Sequence, residues 1–250
     1  IDNVWQSFNP VPLAPYGKEL AVNLGENINY DEGGIDSNGL VSYWNFNRSL
    51  GAVGDGTIYA DLKGNNAATT SDGASASLNS INGKLNQALE LDGSDDSVRV
   101  NDESSLQINN TISISAWVKP TANITSTQSI LGKGNSYDYW LRLDLTSVGM
   151  HPSFLLNNDA SGSEVISDTP IPLNTWTFLV GTYDGVETRL YVNGVLVDSK
   201  PFTAPINTST DELSIGATQE GSNFFFQGAI DEVSLWSRAL SATEVSNLYK

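Results

Sequence analysis

The feature that most restricts this chain is alternation with a period of two that recurs from Leu40 onward, with no sustained helical period in the central segments. Leu40, Ser42, Trp44 and Phe46 read as one face of a first strand. Ile112, Ile114, Ala116 and Val118 read as one face of another, with Ser113, Ser115 and Trp117 opposite and Pro120 ending it. Tyr139, Leu141, Leu143 and Leu145 alternate with Trp140, Arg142 and Asp144, and Trp176, Phe178 and Val180 repeat the pattern. Successive strand side chains point to opposite faces, so each run has one apolar face to bury. Asp184-Gly185 and Asn193-Gly194 fall between such runs and predict a three-stranded meander, Asn-Gly being the stronger hairpin signal. Many strands, short turns and no interleaved helices predict an all-β chain, a two-sheet antiparallel sandwich or jelly roll.

The C-terminus breaks the pattern once. Ile230 to Trp236 reads as an apolar strand carrying an acid pair, Asp231 and Glu232. Ser241 with Glu244 three residues on forms a capping box, and Leu240 and Val245 have the spacing of a hydrophobic staple. A helix this short is marginal alone in water, so it is expected to dock on the β body.

Residues 1–37 stand apart as an N-terminal extension before a domain spanning 38–250. Pro10, Pro12 and Pro15 interrupt regular structure and Gly33-Gly34 makes a joint, while Leu20, Val22 and Leu24 alternate as a strand would. The segment is either a linker or an edge strand, and residues 18–30 offer a route to self-association by strand addition. The sequence opens at Ile1, so any signal peptide is expected to have been removed or cut away.

Charge narrows the partners. The net charge is −17, with 29 acids against 12 bases. Nucleic-acid binding needs a basic footprint that this chain lacks. No apolar run reaches the ~20 residues of a membrane-spanning helix, so this segment is not expected to insert in a membrane. With no cysteine there is neither a disulfide nor a thiolate metal site, and the single histidine, His151, lies in no recognisable nucleophile motif.

GLVSYWNFN, ALELDGSDDSVRV, TISISAWVKP, ILGKGNSYDYWLRLD, NTWTFLVGTYDGVETRLYVNGVLVDS and GAIDEVSLWSRALSATEVSNLY occur in an order that resembles laminin-G-like jelly-roll domains of the concanavalin A-like lectin/glucanase superfamily. The resemblance covers about residues 39–250. It implies a two-sheet jelly roll with a short C-terminal helix, frequent calcium binding and an extracellular or cell-surface setting. Its members serve as adhesins, lectins, spacers of surface fibres and, in some branches, glycosidases.

Asp61-Leu62-Lys63-Gly64-Asn65-Asn66 looks like the family's Asp-x-x-Gly-Asn loop, which supplies oxygens to calcium. Asp61 and Asn65, with Asp231 from the C-terminal strand, are the expected metal set; Lys63 departs from the family's small polar residue. By simple parity Asp231 shares a face with Val233 and Leu235 and so points inward. Asp92, Ser94, Asp96 and Glu103 fall at EF-hand positions 1, 3, 5 and 12, but Ser97 stands where glycine is required and Val98 to Val100 reads as strand, so no such loop is expected. Glu90-Leu91-Asp92-Gly93-Ser94-Asp95 resembles the Glu-x-Asp-x-x-Glu strand of β-glucanases, with the shorter Asp95 in the last place and Gly93 ending the strand, which disfavours a glycosidase. For carbohydrate binding, Trp140, Arg142 and Asp144 share one strand face with Tyr137 in the preceding loop, an aromatic group beside planar polar ones. The expectation is an adhesion or recognition module binding a glycan or cell-surface protein. The alternative is a structural subunit of a surface fibre.

Overall fold

The computed structural model describes residues 37–72, 78–123, 126–159, 162–218 and 223–250. The strand expected over Leu20–Leu24 and the self-association segment 18–30 lie outside the described residues. In chain order the strands are β1 (Leu40–Trp44), β2 (Gly51–Ala52), β3 (Ile58–Tyr59), β4 (Ala68–Asp72), β5 (Asn79–Asn82), β6 (Gln87–Asp92), β7 (Asp96–Val100) and β8 (Ile112–Pro120). They continue as β9 (Gln128–Lys133), β10 (Tyr139–Thr146), β11 (Gly149–Leu156), β12 (Val165–Ile166), β13 (Thr177–Tyr183), β14 (Glu187–Val192), β15 (Val195–Pro201), β16 (Leu213–Ile215) and β17 (Gln227–Trp236). Among the described residues one α-helix, α1 (Ala242–Tyr249), follows β17.

The strands form two antiparallel sheets, as the alternation predicts. A nine-stranded sheet runs β15-β14-β13-β8-β17-β6-β5-β2, with β1 also paired to β17, and an eight-stranded sheet runs β12-β11-β10-β9-β16-β7-β4-β3. The inward residues of β8 (Ile112, Ile114, Ala116, Val118) meet those of β10 and β11 (Tyr139, Leu141, Leu143, Phe154, Leu156) in one continuous core. Burying each large apolar side chain contributes roughly 1.5–3 kcal/mol. The Asn193-Gly194 turn joins β14 to β15 with both residues at positive φ, 50° and 79°, as a type I′ hairpin requires.

A second apolar cluster covers the outer face of the nine-stranded sheet. Trp117, Phe178, Val180, Tyr191 and Trp236 point away from the core and are roofed by Leu240, Val245 and Leu248. The capping box forms as expected, Ser241 accepting from the Glu244 N–H while the Glu244 carboxylate accepts from the Ser241 N–H at 2.8 Å.

Two bulges overturn simple parity. A register shift between Leu40 and Ser42 puts Leu40 in the outer cluster while Trp44 enters the core, so the first strand does not present Leu40 and Trp44 on one face. A second shift lies between Asp231 and Ser234, with Glu232 at φ 53°. Ile230, Val233 and Leu235 all face the core, and Asp231 lies opposite Trp117. Asp231 therefore turns away from the face of Val233 and Leu235, correcting the inward orientation expected from period two. β17 also changes partner here: Gln227–Ile230 pair with β6, and Val233–Trp236 with β1.

Candidate functional site

The alternation of β10 sends Trp140, Arg142 and Asp144 to the outer face of the eight-stranded sheet. Trp140 lies opposite Gly132 of β9, where a Cβ would come within 3.1 Å of the indole, so the glycine makes room for the ring. The indole N–H donates to Ser129 Oγ at 2.9 Å. Tyr137, held at φ 50°, stacks on the indole with centroids 4.3 Å apart, and Phe224 packs at 5.2 Å. The Arg142 guanidinium lies 4.4 Å from the same ring. Trp140 is consequently only 2 % exposed, and Tyr137 9 %. The structure brings the four expected residues together, but the indole is a covered floor rather than an open stacking surface.

The cluster presents a polar layer on that floor. Arg142 donates from Nε to Asp144 Oδ2 at 2.9 Å and from Nη2 to Glu164 Oε1 at 2.6 Å. Thr127 Oγ1 donates to Asp144 Oδ1 and Ser153 Oγ to Glu164 Oε1, at 2.9 and 2.7 Å. One guanidinium thus faces two carboxylates, all partly exposed and fixed by mutual hydrogen bonds. Beside Asp144, His151 turns Nδ1 to the Ser167 carbonyl at 2.7 Å, so Nδ1 carries the proton. Ser167 in turn borders a cleft of about 410 Å³ lined by the loop to Pro172, Val192 and Val197. Glu164, Ser153 and Phe224 escaped the sequence reading because each comes from another strand or loop. Only the outward alternation of β11 carried any hint, and that for Ser153 alone.

Both carboxylates of the expected metal set accept backbone N–H groups. Asp61 Oδ1 accepts the Tyr43 and Lys63 N–H groups, both at 2.9 Å, and Oδ2 accepts the Asn66 N–H at 3.2 Å. Asn65 is exposed; its neighbour Asn66 is the buried amide, donating to Ser42 Oγ at 2.6 Å and accepting from Ser105. The Asp-x-x-Gly-Asn loop is thus closed by its own carboxylate. Asp231 Oδ2 accepts the Lys84 and Leu85 N–H groups of the β5–β6 turn at 2.9 and 3.1 Å. Burial raises its pKa from 3.8 to about 8, with those N–H groups and that of Glu232 pulling the other way. Asp231 Oδ1 is buried without a hydrogen-bond partner among the described residues, so backbone donors engage Asp61 on both oxygens and Asp231 on one.

Carboxylates do gather at Asp92, Asp95 and Asp96. This is an acidic turn stitched by its own backbone, Asp92 Oδ1 accepting the Ser94 and Asp95 N–H groups and Asp96 Oδ2 that of Asp92. Glu90 lies on the outer face of β6 between Ala229 and Asn79, and Asp92 is engaged in the turn.

Comparison with known proteins agrees with this architecture. The sequence model of a laminin G family, described as the Concanavalin A-like lectin/glucanases superfamily, matches residues 92–246, more than half of the chain. The chain is 29% identical over 212 residues to the Botulinum-like toxin eBoNT/J of Enterococcus sp. (strain 3G1_DIV0629), a match covering 79% of this chain and 16% of the toxin. It therefore spans about a sixth of that relative's length. Among solved structures it resembles domain 4 of AbnA, a GH43 extracellular arabinanase of Geobacillus stearothermophilus in complex with arabinotriose. That likeness has a TM-score of 0.64 and 23% identity, covering 84% of this chain and 98% of that one. It also resembles the botulinum neurotoxin serotype D ligand binding domain in complex with N-acetylneuraminic acid, with a TM-score of 0.63, 17% identity, and 85% and 51% of the two chains covered. Two packed sheets, the capped closing helix and this match over most of the β body lead to one assignment: the chain belongs to the laminin G-like family of the Concanavalin A-like lectin/glucanases superfamily.

Proposed function

We propose that this chain is a non-catalytic carbohydrate-recognition module of a secreted or surface-exposed protein, and that the Arg142 cluster reads the hydroxyls of a neutral glycan. The observation that carries this is the line Asp144–Arg142–Glu164, three planar charged groups held in fixed geometry at a partly exposed surface. Such groups match vicinal hydroxyls, which donate to a carboxylate and accept from a guanidinium with little further ordering cost. Trp140 and Tyr137 act as positioning residues beneath them. The adjoining cleft lies in the size range of small-ligand sites. The family and the ligand-bound state of the AbnA and serotype D domains support a recognition role over a catalytic one. The partner in this reading is a cell-surface or matrix glycan.

A glycan array probed with the full chain tests it. Arg142→Lys keeps the charge but loses the planar fork, so binding to neutral glycans falls at least tenfold while the melting temperature changes little. Trp140→Ala loses binding and also about 3–5 kcal/mol of stability, because it empties a covered site. An array negative throughout, or an Arg142→Lys variant that binds like the parent, overturns the reading.

A further inference from the structure

The arginines at 142, 189 and 238 and the buried Lys133 each hold a carboxylate at 2.9 Å or less. Lys84 and Lys119 are placed differently. Each ammonium lies over an indole, Lys84 4.1 Å from the Trp117 ring centre and Lys119 5.3 Å from that of Trp176. Neither makes an ion pair among the described residues.

The two lysines belong to one surface. Trp117 and Lys119 are two residues apart on β8, so they share its outer face about 7 Å apart. Continuing the Thr177–Val118 pair by one residue sets Trp176 opposite Lys119. On the other side Ala229 pairs with Lys119, Glu90 with Ala229 and Asn79 with Glu90. One cross-strand row thus runs Trp176, Lys119, Ala229, Glu90, Asn79, with Lys84 arching in over Trp117. Trp176, Lys119 and Glu90 are partly exposed and Lys84 is exposed. Lys119 and Glu90 are separated by a whole strand, roughly 10 Å, and Lys119 leans back toward Trp176 instead of forward.

We propose that this row is a second carbohydrate site, on the opposite sheet from the Arg142 cluster, selective for a sugar that carries a carboxylate. The sugar carboxylate sits between the Lys84 and Lys119 ammonium groups, an apolar sugar face lies against Trp176, and Glu90 accepts from hydroxyls. The exchange is favourable because a carboxylate forms charge-assisted hydrogen bonds that an indole face cannot supply.

The test is direct titration of the full chain with 3′-sialyllactose and lactose, backed by an array of sialylated, uronate-bearing and neutral glycans. Acidic glycans bind at least tenfold more tightly than neutral counterparts at this site. The double variant Lys84→Gln/Lys119→Gln loses that preference and keeps neutral-glycan binding; Lys84→Arg/Lys119→Arg retains the preference, which separates charge from folding. Arg142→Lys, which disables the other sheet's cluster, leaves acidic-glycan binding intact, so the two readings fail separately. No acidic glycan bound, or a glutamine variant that keeps the preference, overturns the proposal.

Discussion

Asp231 and Glu232 stand side by side and fully buried at the point where β17 passes from β6 to β1. Each ties one of the two partners: Asp231 accepts N–H groups of the turn that leads into β6, and Glu232 accepts the Tyr43 hydroxyl of β1. The acid pair, odd in an apolar strand, is therefore the fastening of a strand junction. This has a pH signature. Asp231 ionises near 3.8 when unfolded and near 8 when folded. Between those values the folded state holds the extra proton, so this group stabilises most below the lower value and its contribution is lost as pH rises through the upper one. Glu244 acts oppositely but elsewhere: Arg238 lowers its pKa from 4.5 to about 2, so its contribution appears above 4.5 and is lost toward acid. Asp231→Asn keeps a carbonyl oxygen for the turn and removes the ionisation. Its melting temperature is expected to stay level from about pH 5 to 8 while the parent falls by at least about 2–4 °C, the equivalent of ~1 kcal/mol for a chain of this size. A parent curve that rises with pH over that interval would show the carboxyl is not held neutral.

At the scale of elements, α1 is a roof. Its eight residues are too few to persist alone. Val245 and Leu248 pack among Trp117, Phe178 and Trp236, and Tyr249 stacks on Trp117 at 5.6 Å. Docking should thus outweigh capping. Leu248→Ala is expected to cost about 2–5 kcal/mol and Ser241→Ala about 1 kcal/mol in urea unfolding; equal costs would mean the helix merely rests there. This helix was legible in the sequence because its signals are local: the cap, the box and the staple lie within six residues. The β13–β15 meander was legible for the same reason, Asp-Gly and Asn-Gly marking its turns. The bulges were not. Glu232 adopts positive φ without being glycine, and nothing beside it announces the extra residue, so the facing inferred for Asp231 from Val233 and Leu235 reversed. The candidate site was legible only along β10. Whether Trp140 is open or covered depends on Tyr137, Phe224 and Arg142 folding onto it, and Phe224 arrives from a loop more than eighty residues downstream.

For the whole molecule, the question is what holds together a cysteine-free chain of net charge −17. Such a chain repels itself, and a bound cation would be one remedy. The structure shows others: a core shared by two sheets, a second cluster under α1, and carboxylates that accept backbone N–H groups. A calcium ion at Asp61 would compete with three such hydrogen bonds, and at Asp231 with the two from Lys84 and Leu85. An ion that binds only the folded state raises stability by RT ln(1 + [L]/Kd), so even weak occupancy would register at millimolar calcium. The expected outcome is coincident thermal melts in excess EDTA and in millimolar calcium. A melting temperature that climbs with calcium, and no longer does so in Asp61→Asn, would restore the metal to the loop and make those hydrogen bonds the resting state of a switch.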